Sequence, residues 1–319
     1  MWLGFTLSAA AIATFVALFD FSKVYQVLAG VSWPRALFSA ALFMICWLVV
    51  RPLRWQLLLR PLGRYRYGQI RDVQLTGFMV NNILPARLGE LARALLLWKV
   101  AGASRRGTLT TIGIERLFDG AVLIGLLSMV GLLFDVPPWT RSLGRVMAPV
   151  LAGLVGLMLW LTFAHRSLFW LIERALFFLP RRARARIVGF LERFVDGTRA
   201  LRSPALILGA LSLSLLVWGL EVFVYHSMMD GFGYSPPLWV AALTLTVTNF
   251  GIAVPSAPGY LGVFEAACSG ALIGVGLQKE LALSYAIGLH LMMFVCITGT
   301  WLLLMWRLGL GLRDVTAGR

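Results

Sequence analysis

Charge is scarce in this chain. Asp, Glu, Lys and Arg make up 13% of its 319 residues, about half of the ~25% usual for a soluble domain, which excludes a protein whose bulk is a soluble domain. Lysine is nearly missing, with only Lys23, Lys99 and Lys279. Cysteine is scarce too. Cys46, Cys268 and Cys296 stand far apart in apolar stretches, without a CxxC or a Cys/His cluster of metal-ligand spacing. That pattern predicts three buried free thiols and neither a metal nor a cofactor. The N-terminal stretch MWLGFTLSAAAIATFVALF lacks a basic leader and a clear cleavage site, so it is expected to be a retained first span rather than a signal peptide.

What is present is apolar surface: 59% of the residues are hydrophobic and the mean hydropathy is +0.82. Apolar runs fall near 2–19, 36–50, 73–99, 108–134, 146–163, 204–228, 238–277 and 281–306. Their lengths are close to the ~20 residues that cross a bilayer as helix. The expected fold is all-α, a polytopic integral membrane protein forming a single transmembrane domain over 1–319, with about six to eight spanning helices. The net charge of +15 points to nucleic acid or to an anionic membrane surface. Most arginines flank apolar runs, which favours lipid headgroups as partners and no nucleic acid.

The arginines also predict topology. Residues 51–71 carry six arginines and no acid, and 164–203 carry nine against Glu173, Glu192 and Asp196. With 99–106 and the tail after 306, these segments are expected in the cytoplasm of a cell whose inner (plasma) membrane holds the protein, with both termini cytoplasmic. Both flanks of 73–99 are then cytoplasmic, which one full span cannot achieve. A re-entrant hairpin can, turning near Asn81–Pro85 with arms of roughly 20 Å. Pro85 disfavours helix at Leu84, and the two asparagines can satisfy freed backbone groups.

Residues 238–277 resemble a second copy. PARLGE (85–90) and PGYLGVFE (258–265) each place a proline four residues before a glycine that follows leucine, with a glutamate after it. Span, hairpin, span thus recurs over about 36–134 and 204–306, as an inverted-topology repeat with two re-entrant hairpins. Expected breaks are Pro85 and Gly89 in the first, and Pro255, Pro258, Gly259 and Gly262 in the second. Two full spans over 238–277 would satisfy the same parity. The linker at 182–201 has one apolar face and is expected to lie on the cytoplasmic leaflet, within a connector over 164–203.

Charges inside the apolar runs carry the functional expectation. Arg87, Glu90 and Arg93 lie at i, i+3, i+6 in NNILPARLGELARALLLWKV. A charge at mid-membrane costs about 2.5–3.5 kcal/mol, so this face must look into protein or a wet cavity. Two arginines against one glutamate leave positive charge suited to a phosphate-bearing headgroup. Ion pairing that merely holds the hairpin is the alternative. Glu115 and Asp119 in GIERLFDG are i, i+4 and share a face, with Arg116 adjacent, available either for pairing with Arg87 or Arg93 or for titration. Glu221 and Glu265 add acids in the second half, and a carboxylate facing a cavity can couple transport to protons. His226 and His290 are expected to be hydrogen-bonded core residues.

NNILPARLGELARALLL, ERLFDG and PSAPGYLGVFEAA together resemble the lysylphosphatidylglycerol synthase transmembrane region, the flippase-like part of the multiple peptide resistance factor. The resemblance runs from about 5 to 310. It implies an all-helical polytopic fold and movement of phospholipid or lipid-linked headgroups between leaflets. It also implies substrate-contacting roles for Asn82, Arg87, Glu90, Arg93, Glu115, Arg116, Asp119 and Glu265. The full-length synthase carries a soluble aminoacyl-transfer domain after its membrane part, and here the sequence ends at Arg319. The expectation is therefore a flippase rather than an enzyme. Its partners would be lipids with anionic headgroups, with lipid-pathway enzymes as candidates. Two other readings stand beside it: an intramembrane enzyme acting on lipid phosphates, and an accessory subunit of a lipid or glycolipid pathway.

Overall fold

In the computed structural model, which describes residues 21–84, 88–163, 174, 201–254 and 257–307, the protein is all-helical, and no strand occurs among those residues. Among the described residues ten α-helices follow in order: α1 Phe21–Ala29, α2 Trp33–Leu59, α3 Tyr67–Ile83, α4 Gly89–Ala101, α5 Arg105–Leu133, α6 Pro138–Phe163, α7 Pro204–Gly231, α8 Leu238–Gly251, α9 Val263–Gly274 and α10 Lys279–Arg307. Four of them, α2, α5, α7 and α10, are long and apolar enough to cross a membrane. Their outward faces carry bare leucine, phenylalanine and tryptophan, among them Leu132, Leu208, Phe223 and Trp306. Patches of that extent suit lipid contact. The first run at 2–19, the breaks Pro85 and Pro255, Arg87, and nearly all of the 164–203 connector lie outside the described residues.

Local chemistry sets the boundaries. Ser104 and Ser203 accept from the backbone N–H groups of Gly107 and Leu206 and so start α5 and α7, each satisfying one of the orphan donors of a helix N-terminus. α4 stops at Gly102, which adopts the left-handed conformation at φ 65°. α2 is longer than its apolar run because it continues through Pro52. A π-helical turn at Cys46–Val50 precedes the proline, as expected where the ladder must absorb a missing N–H. The carbonyl of Leu48, which Pro52 cannot serve, accepts from the Tyr67 hydroxyl instead. The expected basic connector at 51–71 therefore begins later: Arg51 and Arg54 are on the helix and inside the bundle.

The apolar runs at 73–99 and 238–277 each split into two short helices that pack on one another, α3 with α4 and α8 with α9. Their arms have 17, 13, 14 and 12 residues. At 1.5 Å per residue these are roughly 18–26 Å, shorter than the ~30 Å hydrocarbon core. The order long, short, short, long thus occurs twice. Packing between the two sets is reciprocal: α5 lies on α8 and α10 lies on α3. The leading helices α2 and α7 cross antiparallel. Arg35 donates to the Asp230 carbonyl (2.7 Å), Ser39 to Val224 (2.8 Å) and the Cys46 thiol to Val217 (3.7 Å), while further along Leu57 packs on Gly209.

Candidate functional site

Where the four long helices and both hairpins converge there is a cavity of about 150 Å³. Trp47, Arg116, Trp218 and Met293 line it, and each stands near the midpoint of its long helix. The first hairpin contributes Asn81, Asn82 and Glu90, and the second contributes Asn249, Tyr260 and Phe264. The two breaks touch. The backbone oxygen of Asn82 sits 3.4 Å from where a side chain on Gly259 would begin, and the Asn82 amide reaches Thr298 of α10 at 3.4 Å. Gly259, Tyr260 and Gly262 all have positive φ (65°, 60° and 82°), so the second turn needs glycine at two of its three left-handed positions. Asn81 caps the start of α4 by accepting from Gly89 N–H at 2.7 Å.

Among the described residues, four arginines and five carboxylates surround this point, in two layers. The layer behind the cavity is buried. Arg54, 0% exposed, donates to Glu115 (2.8 Å), Asp119 and Ser214 (3.0 Å). Arg93, 1% exposed, donates to the other oxygen of Glu115 at 2.7 Å and lies 4.0 Å over the Trp55 ring. Trp218 Nε1 donates to Asp119 at 3.0 Å. Arg93, Glu115 and Asp119 are thus brought together, but none of them lines the cavity. The positive surplus expected from Arg87 and Arg93 over Glu90 does not survive for Arg93, because Glu115 neutralises it.

The second layer faces the cavity. Arg116 lies 3.1 Å from Glu90 and donates to Asp119 at 3.2 Å. The Glu90 contact is an ion pair and not an aligned hydrogen bond, since Arg116 Nε has no hydrogen-bond acceptor. Arg51 and Glu221 form the other pair at 3.2 Å, with Trp47 Nε1 also donating to Glu221 at 2.7 Å. The Arg51 guanidinium lies between two indoles, 4.5 Å from Trp47 and 5.3 Å from Trp218, in cation–π contact with both. Glu265 stands just behind His290, whose ring lines the cavity: the two are 2.6 Å apart.

Of the residues singled out from the sequence, Asn82, Glu90 and Arg116 line the cavity, and Pro258, Gly259, Gly262 and Glu265 build the break beside it. Gly89 stands at the far edge of the first break as the first helical residue of α4, held against the α3 backbone. Sequence reasoning missed Arg51 and Arg54, because local charge counting assigned them to a cytoplasmic loop. One signal was available. Glu90, Glu115, Asp119 and Glu221 are four acids in apolar runs whose only arginines are Arg87, Arg93 and Arg116, with Lys99 at the very end of one run, and buried carboxylates need partners.

No solved structure matches the chain. Among curated proteins it is similar to Glycosyltransferase AglD of Haloferax volcanii, with 25% identity over 294 residues, covering 83% of this chain and 47% of the relative. The chain thus spans about half the length of the curated relative it matches. The expectation that the protein is not an enzyme is corrected by this finding, since the relative is named for an enzymatic activity. A family model described as the lysylphosphatidylglycerol synthase TM region matches residues 1–299. With four helices able to cross a bilayer and that match over most of its length, the chain is an integral membrane protein of the lysylphosphatidylglycerol synthase transmembrane-region family.

Proposed function

We propose that the protein carries a lipid with an anionic, phosphate-bearing headgroup between membrane leaflets, holding the headgroup in the central cavity. The observation that carries this reading is Arg51. It is 4% exposed and lines the cavity, yet only its Nη2 meets a carboxylate, and its Nε has no acceptor. A guanidinium with free donors in a fixed fork suits phosphate oxygens. A buried donor without a partner costs about 1–3 kcal/mol, which a bound phosphate would relieve.

The architecture supports movement as well as binding. The antiparallel crossing of α2 and α7 and the reciprocal packing of α5 on α8 and α10 on α3 support an inverted repeat with re-entrant hairpins. The headgroup site lies at its centre, where rocking of one repeat on the other exposes it to either side in turn. The name of the Haloferax relative favours a second reading, in which the same cavity presents a lipid phosphate to a glycosyl-transfer step. Labelled sugar appearing on the lipid in reconstituted vesicles would favour that reading.

The test is reconstitution into liposomes with fluorescent phosphatidylglycerol or a polyprenyl-phosphate analogue, following loss of leaflet asymmetry. Arg51→Ala is expected to slow flipping about 10–100-fold, the equivalent of losing one charge-assisted contact of ~1.5–3 kcal/mol, with Arg51→Lys intermediate. Wild-type protein that moves neither lipid, or flipping untouched by Arg51→Ala in well-folded protein, overturns the proposal.

A further inference from the structure

The two hairpins carry matching acid–base pairs with one difference. Glu90 is the second residue of α4 and pairs with Arg116; Glu265 is the third residue of α9 and pairs with His290. Arg116 and His290 each stand eleven residues after the first residue of a 29-residue helix. Arginine stays charged at any physiological pH, whereas histidine is the side chain whose charge changes between about pH 5 and 8. One hairpin is therefore held by a fixed ion pair and the other by one that a single proton can make or unmake.

We infer that Glu265 and His290 form a proton-binding site that latches the second hairpin break. Glu265 spans the two parts of the latch. Its Oε1 meets His290 Nδ1 at 2.6 Å, and its Oε2 accepts from Gly262 N–H at 2.7 Å. Gly262 ends the left-handed turn that places Tyr260 in the cavity and seats Gly259 on the Asn82 carbonyl of the opposite hairpin. With Glu265 ionised, His290 Nδ1 carries a hydrogen and donates it. The proton that comes and goes does so at Nε2. Uptake turns a bond between a neutral imidazole N–H and a carboxylate into an imidazolium–carboxylate ion pair, which adds charge–charge attraction to a bond already charge-assisted, and fixes Glu265 over Gly262. Release of that proton leaves a neutral imidazole and a carboxylate held more loosely. Phe264 stacks on the His290 ring at 4.3 Å and keeps it in register for both states.

Other groups around the pair have fixed roles or partners. Across the cavity stand Arg51 of α2 with Glu221 and Tyr225 of α7, then Glu90 of α4 with Arg116 of α5, and Tyr260 of the turn. Cys46 of α2 contacts Glu221, and Cys268 of α9 is buried one turn from Glu265. Tyr285 of α10 donates to the Tyr225 carbonyl. α3 presents Phe78, Asn81 and Asn82 there, none of them titratable, and α8 has no titratable side chain. Lys23 and Tyr25 of α1 are exposed, and α1 meets α10 through Val24 and Ser284.

This inference rests on the lipid-translocating reading for its purpose, but its test does not need a lipid substrate. The full chain in lipid nanodiscs carries three histidines, His165, His226 and His290, so ¹⁵N-imidazole NMR resolves His290 by difference with His290→Gln. The His290 ring signals are expected to report proton uptake as the pH is lowered, and Glu265→Gln to alter that response. Hydrogen exchange of the 258–265 segment, corrected for intrinsic rates, is expected to be about tenfold slower in wild type where those signals report the protonated ring. The difference is expected to vanish in His290→Gln and Glu265→Gln. A His290 that keeps one protonation state throughout, or a pH response of the segment that survives His290→Gln, overturns the latch. Failure of wild type to flip lipid overturns the translocating reading and leaves these measurements to decide the proton site alone.

Discussion

Glu115→Ala is expected to lower the stability of the folded protein by about 3–5 kcal/mol, the range for removing one partner of a buried ion pair. Glu115 is 0% exposed and divides its two oxygens between Arg54 and Arg93. Arg54 keeps Asp119 and Ser214 when Glu115 is removed. Arg93 keeps the faces of Trp55 and Phe78 and the more distant charge of Glu90, and its Nε and Nη1 already lack acceptors. Its charge would then be buried without a carboxylate in contact. At ~2–4 °C per kcal/mol for chains of a few hundred residues, the unfolding midpoint in detergent should fall by roughly 6–20 °C. Glu115→Gln, which keeps the shape and an acceptor, should fall less. Replacing the pair together, Arg93→Met with Glu115→Met, should be more stable than Glu115→Met alone, because it removes the stranded charge along with its partner. A midpoint for Glu115→Ala equal to that of wild type would mean that Arg93 finds another counter-charge.

The same network explains which parts of the molecule could be seen in the sequence. Helix positions were legible wherever they follow from local chemistry. α5, α7 and α10 lie within a few residues of their apolar runs, because run length and capping serines act within one turn. The breaks were legible for the same reason, since proline and glycine act on their own backbone. The partners of Arg54 and Arg51 were not. Glu115 and Asp119 lie 61 and 65 residues from Arg54, and Glu221 lies 170 from Arg51. A rule that counts charges near a span end cannot see a carboxylate that folding brings from another helix. Pro52 shows the same limit. It marks a helix end when only neighbours are considered, but the Tyr67 hydroxyl, 19 residues on, takes the carbonyl it leaves free. His290 looked like a solitary core histidine for want of Glu265, which sits on a different helix 25 residues away. The cavity was thus half legible. Its first-hairpin polar residues stood out as charges in an apolar run, and the arginine that faces them did not.

Gly89→Ala is the second change with a large expected effect, and its cause is steric. A Cβ on Gly89 would lie 1.8 Å from the Gly77 carbonyl oxygen and 2.5 Å from Asn81 Oδ1. Neither atom can yield cheaply. The first is backbone in the middle of α3, and the second is the acceptor that caps α4 through the Gly89 N–H. α3 and α4 would have to separate. Overpacking costs about 1–3 kcal/mol where side chains can shift, and a contact against backbone should exceed that range. Separation also reaches the site: Arg93 packs on Gly77, where an added Cβ would meet its Cγ at 2.4 Å, and Glu90 is the next residue after Gly89. Gly89→Ala should therefore lower both the yield of monodisperse protein and the flipping rate, whereas Gly113→Ala and Gly125→Ala, with open space at the new atom, should be neutral or slightly stabilising, since alanine favours helix by roughly 1 kcal/mol. Yield and unfolding midpoint of the three variants, measured side by side, decide it. If Gly89→Ala matched Gly113→Ala, the close crossing of α3 and α4 would not exist, and the placement of Glu90 beside Arg116 would fall with it.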